Sequence, residues 1–367
     1  MKEKPSILFL NKRTKPGMKF IVFSLMIFLL SMGLSIVADP DQYFNEKVEK
    51  LWDLDGKDKN DISIEVKTAN GVTNPIPIYL SQFKPLAQEF QILPQAENTI
   101  TGKYGTEITI PANAISLPGN FRKGDIIILE LIEVINPLDF ITSGVDLTYT
   151  DARGKNHIFE SGGMFKINAS YYSRPLRVKK GAQLQVKMPI LRSNPGNMKV
   201  FRLDPIRDAW SSLGDEAPVP PGGDPEIPFR YFSGIPDFEW HNFDYPNPNT
   251  GCITGEIEPV IKNPPYTVIV TGMDFRGATV RNFNTGEFAI NTLKDKNVKI
   301  IVMDDKGNLG KTDEIKVSTK EFFLTKLTQK SECMNIGTIK IEKIPPSIRQ
   351  NRGEFLKYIG LKDDISP

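Results

Sequence analysis

The chain is predicted to be all-β: two β-sandwich domains in tandem, the second immunoglobulin-like, with short peripheral helices. Three observations predict it. Apolar and polar residues alternate at period two in segment after segment, as half-buried antiparallel strands require. Glycine and proline number 28 each in 367 residues, roughly one chain-bender in seven, a level that accompanies many turns and short strands. The last third of the chain holds seven short strand-like segments, each closed by a turn signal, within about ninety residues.

The chain opens on an address. Phe20–Val37 is an uncharged apolar run preceded by Lys2, Lys4, Lys12, Arg13, Lys15 and Lys19, and it ends at Ile36-Val37-Ala38 before Asp39-Pro40. Basic start, apolar middle and small residue at the cut are the layout of a secretory signal peptide over 1–38, cleaved after Ala38. The alternative is an uncleaved anchor, since about 17–25 apolar residues span a bilayer. Residues 1–38 carry six bases and one acid, so the 46 basic and 44 acidic side chains of the whole leave 40 and 43 in the remainder, a net charge of −3. A body of that charge releases few counterions from DNA or RNA, which argues against nucleic-acid binding. The expected location is exported: periplasm, outer membrane or cell surface. A membrane contact is expected only through the N-terminal segment, if it stays uncleaved.

Residues 39–95 read as an N-terminal region, with a short amphipathic helix over Asp41–Trp52 and a strand from Ile62. Residues 96–203 read as the first sandwich. Phe165, Ile167, Ala169 and Tyr171 share one face of a strand, as do Leu184, Val186 and Met188 of another. The run Asp125–Ile135 is more continuously apolar and reads as a central strand covered on both sides. Residues 204–250 read as a Pro- and aromatic-rich connector. Its segment DEAPVPPGGDPEIP holds five prolines and two glycines, which suits a linker or exposed loop, and Asp244–Asn249 reads as a second break. Residues 251–343 carry the strands of the second sandwich, separated by turns at Asn284–Gly286 and Asp304–Asn308. Residues 344–367 form a tail. Weak helical stretches lie at Lys320–Gln329 and Arg352–Lys362.

The chemistry on offer is sparse. The chain has two histidines, His157 and His241, and two cysteines; a catalytic zinc site takes three protein ligands, often His, and no HExxH occurs. Both histidines read as structural or surface residues. Ser81-Gln82-Phe83-Lys84 matches SxxK, but Pro85 follows it and the SDN and KTG partners are missing. Asp53–Asp61 resembles a calcium loop, yet Lys57 and Ile64 occupy its fifth and twelfth positions. Ser161-Gly162-Gly163 reads as a β-bulge or tight turn. No catalytic residue, metal or cofactor is implied. Seven aromatics, Phe229, Tyr231, Phe232, Phe238, Trp240, Phe243 and Tyr245, fall within seventeen residues. They suit either a contact surface for protein or carbohydrate or the glue of an interdomain core, and Phe229, Tyr231, Phe232, Phe238 and Trp240 are the first candidate for binding.

Two stretches resemble known modules. Thr101–Ile190, with TGKYGTEITIPANAI, DIIILELIEV, ESGGMFKINAS and QLQVKMPI, resembles a β-rich module of Bacteroidetes and spirochaete envelope proteins, and more distantly the β-sandwich of ankyrins and netrin receptors. Some of the latter self-cleave at His-Phe-Ser; here His157-Ile158-Phe159-Glu160-Ser161 breaks that triplet. Gly251–Ile341, with CITGEI, YTVIVTGMDFRG, NTGEFAI and NVKIIVMDDKGNLG, resembles the carboxypeptidase regulatory-like sandwich, an accessory domain of exported proteins. Cys252 and Cys333 bracket that stretch, and an oxidising compartment favours a bridge between them over two buried thiols. The function expected is a non-catalytic exported cell-envelope protein acting as a binding or structural module for protein or cell-surface carbohydrate. The alternative is an exported hydrolase using carboxylates such as Asp237 and Glu239. A third possibility is a regulator of a neighbouring export or outer-membrane complex.

Overall fold

Alternation becomes strand after strand. In chain order the strands are β1 (Gln88–Ile92), β2 (Asn98–Thr101), β3 (Glu107–Ile110), β4 (Ile115–Ser116), β5 (Ile127–Val134), β6 (Thr148–Thr150), β7 (Asn156–Tyr171), β8 (Arg174–Pro175), β9 (Arg177–Val178), β10 (Leu184–Pro189), β11 (Lys199–Asp204), β12 (Ala209–Asp215), β13 (Phe229–Ile235) and β14 (Trp240–Asn247). They continue with β15 (Thr250–Glu258), β16 (Tyr266–Gly272), β17 (Ala278–Phe283), β18 (Glu287–Leu293), β19 (Asn297–Asp304), β20 (Asn308–Lys311), β21 (Ile315–Lys316), β22 (Met334–Lys340) and β23 (Glu342–Lys343). Three short helices join them: α1 (Pro137–Ser143), α2 (Pro346–Gln350) and α3 (Arg352–Ile359). This computed structural model describes residues 76–189, 198–204, 209–215, 229–258 and 265–362, all within a compact unit spanning Glu65–Pro367. The expected leader, the expected helix over Asp41–Trp52, the calcium-like loop sequence and the strand expected from Ile62 lie outside the described residues.

The first sandwich packs the sheet β1-β5-β7-β14-β11-β12 on the sheet β13-β10-β3-β2. Between them lie the inward residues of both, among them Ile108, Leu129, Phe165, Ile167, Val186, Met188 and Phe243. Leu184, Val186 and Met188 are buried together, and so are Phe165, Ile167, Ala169 and Tyr171, as the alternation predicts. The second sandwich packs β18-β15-β22 on β17-β16-β19-β20-β23 around Ile253, Tyr266, Val268, Phe288, Ile300 and Val302. All seven segments read as C-terminal strands are in these two sheets.

A third apolar layer lies between the sandwiches. Phe159, Met164 and Phe201 of the first meet Ile269, Val280, Ile301 and Met303 of the second, with α1 and α3 contributing Phe140, Phe355 and Ile359. It explains why β16 and β19 are nearly all apolar: Val268 and Ile300 face one core while Ile269 and Ile301 face another. Polar ties cross the same seam. Lys296 Nζ is 2.9 Å from Glu160 Oε2, Arg281 is 2.8 Å from Asp146, and the Ser161 amide donates to the Arg276 carbonyl.

Four local expectations are corrected. The strand read as covered on both faces, β5, alternates from Ile127 to Ile132, with Ile128, Glu130 and Ile132 only half-buried; the doubly covered strands are β16, β19 and the middle of β7. The described part of 204–250 supplies β12, β13 and β14 to the first sandwich. Asp244–Asn247 does not break the chain but continues β14 through Pro246, because β11 pairs only as far as Asp244 and the missing amide falls on a free edge. Lys320–Gln329 is not an α-helix. Asn291 clamps it instead, its Oδ1 accepting from the Leu324 amide at 2.7 Å and its Nδ2 donating to the Leu324 carbonyl, and only a 3-10 turn at Leu327–Glu332 follows.

Candidate functional site

The five aromatic residues nominated by the sequence are split between layers. Phe238 lies in the core of the first sandwich and Phe232 packs against it. Phe229 is buried, with Lys187 Nζ 4.3 Å from its ring centre. Trp240 points the other way, against the layer between the sandwiches, under Lys166 at 5.8 Å. Tyr231 is half-buried. Phe238 lies in the loop before β14, whereas Trp240 and Phe243 fall on opposite faces of β14 by strand alternation.

The two carboxylates of the hydrolase alternative are engaged by their surroundings. Burial pushes the Asp237 carboxyl up, but His241 and Arg202 together hold it below its ordinary value. Arg202 Nε donates to Asp237 Oδ2, and His241 Nε2 lies 3.4 Å from Oδ1. His241 itself is fully buried, its ring stacked on Phe165 with centres 5.4 Å apart. Glu239 is raised by burial, which the nearby Lys166 ammonium opposes. His157 is fixed between the Pro246 carbonyl and Asp151, at 3.2 and 3.1 Å.

Ser161-Gly162-Gly163 is the expected bulge: the register of β7 on β14 shifts between Phe243 and Asp244, and Gly163 adopts φ +133. Buried Glu133 accepts from the Tyr104 and Thr106 amides, each at 3.1 Å, and so shapes the β2–β3 turn. Two clefts of about 300 and 260 Å³ are lined, the first by Tyr79, Gln82, Pro346, Arg349 and Gln350 and the second mainly by Pro137, Met273, Phe275, Arg276, Leu361 and Lys362; neither lining includes a carboxylate or an imidazole. Among the described residues no three metal-capable side chains converge, and no helix is long and apolar enough to cross a membrane.

What the sequence did not point to is one end of the first sandwich. Strand pairing aligns Ile92 with Ile127 and Ile128 with Ser170. Continued past the last paired rows, by one residue on β1–β5 and by two on β5–β7, the same registers place Leu93, Ile126 and Tyr172 at neighbouring positions across β1, β5 and the turn after β7. These three are 45, 44 and 83% exposed, and they are three of the four large apolar side chains standing out from the described surface. Adjacent strands are ~4.8 Å apart, so the row is ~10 Å long.

The turn that lifts Tyr172 is strained. Tyr171 pairs with Arg174, leaving a two-residue loop, and both its residues have positive φ, Tyr172 at 46° and Ser173 at 62°. That is a type I′ turn, which normally takes Asn-Gly because side chains crowd the backbone there. The base beneath it is firm: Tyr171 packs on Phe121 at 5.0 Å and on Tyr172 at 4.6 Å, and its hydroxyl donates to Asp125 at 2.6 Å. That hydrogen bond holds the Asp125 carboxyl below its usual range and pushes the phenol up to about 12.

Around the row are exposed cations: Arg122, Lys123, Arg174, Arg177, Lys179 and Lys180. The backbone brings them together, since Arg177 pairs with Ser116, the Lys179 amide donates to Ala114, and the Asn113 amide to Pro94 beside Leu93. Arg122 lies by Asp125. The other five form no ion pair among the described residues. The acids of this end are Asp125, Glu97 and, in the loop after β13, Asp237 and Glu239, which face Arg202 and Lys166 respectively.

No family model and no curated protein matches the chain. Among solved structures, a gamma-CGTase from alkalophilic Bacillus clarkii aligns over 67% of this chain and 41% of its own, at 9% identity and a TM-score of 0.15, a likeness too low to bear on fold or function.

Proposed function

We propose that the protein is a non-catalytic, exported cell-envelope module that binds a partner through the Leu93–Ile126–Tyr172 end of its first sandwich. The observation that carries this is Tyr172, 83% exposed on a turn whose backbone disfavours any side chain. A large apolar group kept in water at a strained position points to use rather than to packing. The leader and the resemblance of Thr101–Ile190 and Gly251–Ile341 to envelope sandwiches support the compartment. A rigid sheet end suits recognition because the row is ordered before the partner arrives.

The test is binding of the purified full-length chain to isolated cell envelopes. Replacing Leu93, Ile126 and Tyr172 together by Ser, Ser and Gly is expected to abolish binding without lowering the unfolding midpoint. Unchanged binding would overturn the assignment of this end as the contact surface.

A further inference from the structure

We propose that the partner at this end is the headgroup surface of an anionic lipid bilayer, entered by Leu93, Ile126 and Tyr172 and held by the cations around them. The inference rests on the reading that this end binds.

Two features select the partner together. The first is charge. Six exposed cations stand at this end against Asp125, Glu97 and the Asp237 and Glu239 carboxylates, the last two facing Arg202 and Lys166, in a body that is net acidic beyond residue 38. An excess of this kind, left without internal ion pairs, is complementary to an anionic surface. The second is the mixture of apolar groups. A polysaccharide or a nucleic acid stacks on an aromatic face but offers nothing to Leu93 or Ile126. The boundary between headgroups and acyl chains accepts both kinds, with a tyrosine placing its ring in the apolar layer and its hydroxyl in the wet one. The geometry agrees. The three residues occupy neighbouring strand-end positions and all are exposed, so one flat surface can meet them together. Arg174 follows Tyr172 and Ser173 directly, Lys123 is three residues from Ile126, and long cationic side chains reach outward from apolar stems to phosphate oxygens.

Because Cys252 and Cys333 are bonded to each other, one added cysteine labels a single site. An environment-sensitive fluorophore is placed on the full chain at Ile126→Cys and, separately, at Leu86→Cys, an 81% exposed residue before the opposite end of β1. The probe at 126 is expected to shift to the blue with vesicles of phosphatidylcholine plus phosphatidylglycerol, and the probe at 86 is not. An apolar leader left on the chain could bring it to a vesicle, but would not bury position 126 in preference to 86. Replacing Arg174, Arg177 and Lys180 by Ser should weaken the response about 100-fold, at roughly fivefold per charge, and added salt should weaken it likewise. An equal response on pure phosphatidylcholine would overturn the anionic requirement. No response on either vesicle, with envelope binding still lost in the triple variant above, would overturn the lipid assignment and leave a protein or polysaccharide as partner. Loss of neither would overturn both readings.

Discussion

Tyr172 and Ser173 hold conformations that suit asparagine and glycine, at a cost of about 1–2 kcal/mol per residue. Replacing the pair by Asn-Gly should therefore raise stability by about 1–2 kcal/mol in chemical denaturation while weakening envelope binding. A stabilised variant that binds as well as wild type would show the strain to be incidental. Asp244 is a second residue set against its surroundings. It is fully buried, and burial pushes its carboxyl well above the ordinary range against the opposing pull of Ser161 and Arg230. The folded chain therefore keeps this proton to higher pH than the unfolded chain, which releases it near pH ~4. Stability from this group is fully present below that pH and declines as pH rises toward the folded value. Asp244→Asn removes the decline, so the midpoint of the variant relative to wild type should climb from about pH 4 upward; a constant difference across pH would refute it.

At the level of elements, the turns repeat one device. Asp151 Oδ1 accepts from the amides of Arg153 and Lys155, and Asp304 Oδ1 from those of Lys306 and Asn308, all at 2.9 Å. In each, the glycine three residues after the aspartate takes positive φ, Gly154 at 79° and Gly307 at 81°. The sequence cues for Asp304–Asn308 were readable because turn chemistry is local. The bulge at Gly163 was readable for the same reason, and it is exacting: a methyl group there would approach Met188 Sδ to 2.6 Å in a backbone that already disfavours one. Gly163→Ala should cost about 2–3 kcal/mol, seen as a lower midpoint in thermal or chemical unfolding of the two sandwiches together. Strand faces in β7 and β10 were legible because alternation is also local. The contact end was not. Leu93, Ile126 and Tyr172 are far apart in sequence, each follows or opens an apolar pair or run whose other members are buried or half-buried, and only the registers of β1, β5 and β7 align them. The aromatic run Phe229–Tyr245, dense in sequence, divides between the core of the first sandwich, where Phe238 and Phe243 lie, and the layer between the sandwiches, against which Trp240 packs.

For the whole molecule, Cys252 and Cys333 are 81 residues apart and bonded, tying β15 to the start of β22, its parallel neighbour. Closing a loop of that length restricts the unfolded chain by roughly 4 kcal/mol. Cys252→Ser with Cys333→Ser should lower stability by up to that amount, and wild type should show no free thiol until it is unfolded and reduced. Two thiols titrating in the native, unreduced protein would contradict the bridge. The compartment expected from the leader permits such a bond to persist.

The apolar layer shared by Phe159, Phe201, Ile269, Ile301 and Phe355 makes the two halves of this chain interdependent. Divided near Asn249, each half would carry away a flank of oily side chains with no cover, and Ile158 would be torn from the cluster it completes on the far side. The sandwiches are therefore not beads that evolution or an engineer can restring: a replacement for either must arrive with a matching bare flank, or the remaining half will seek one by aggregating.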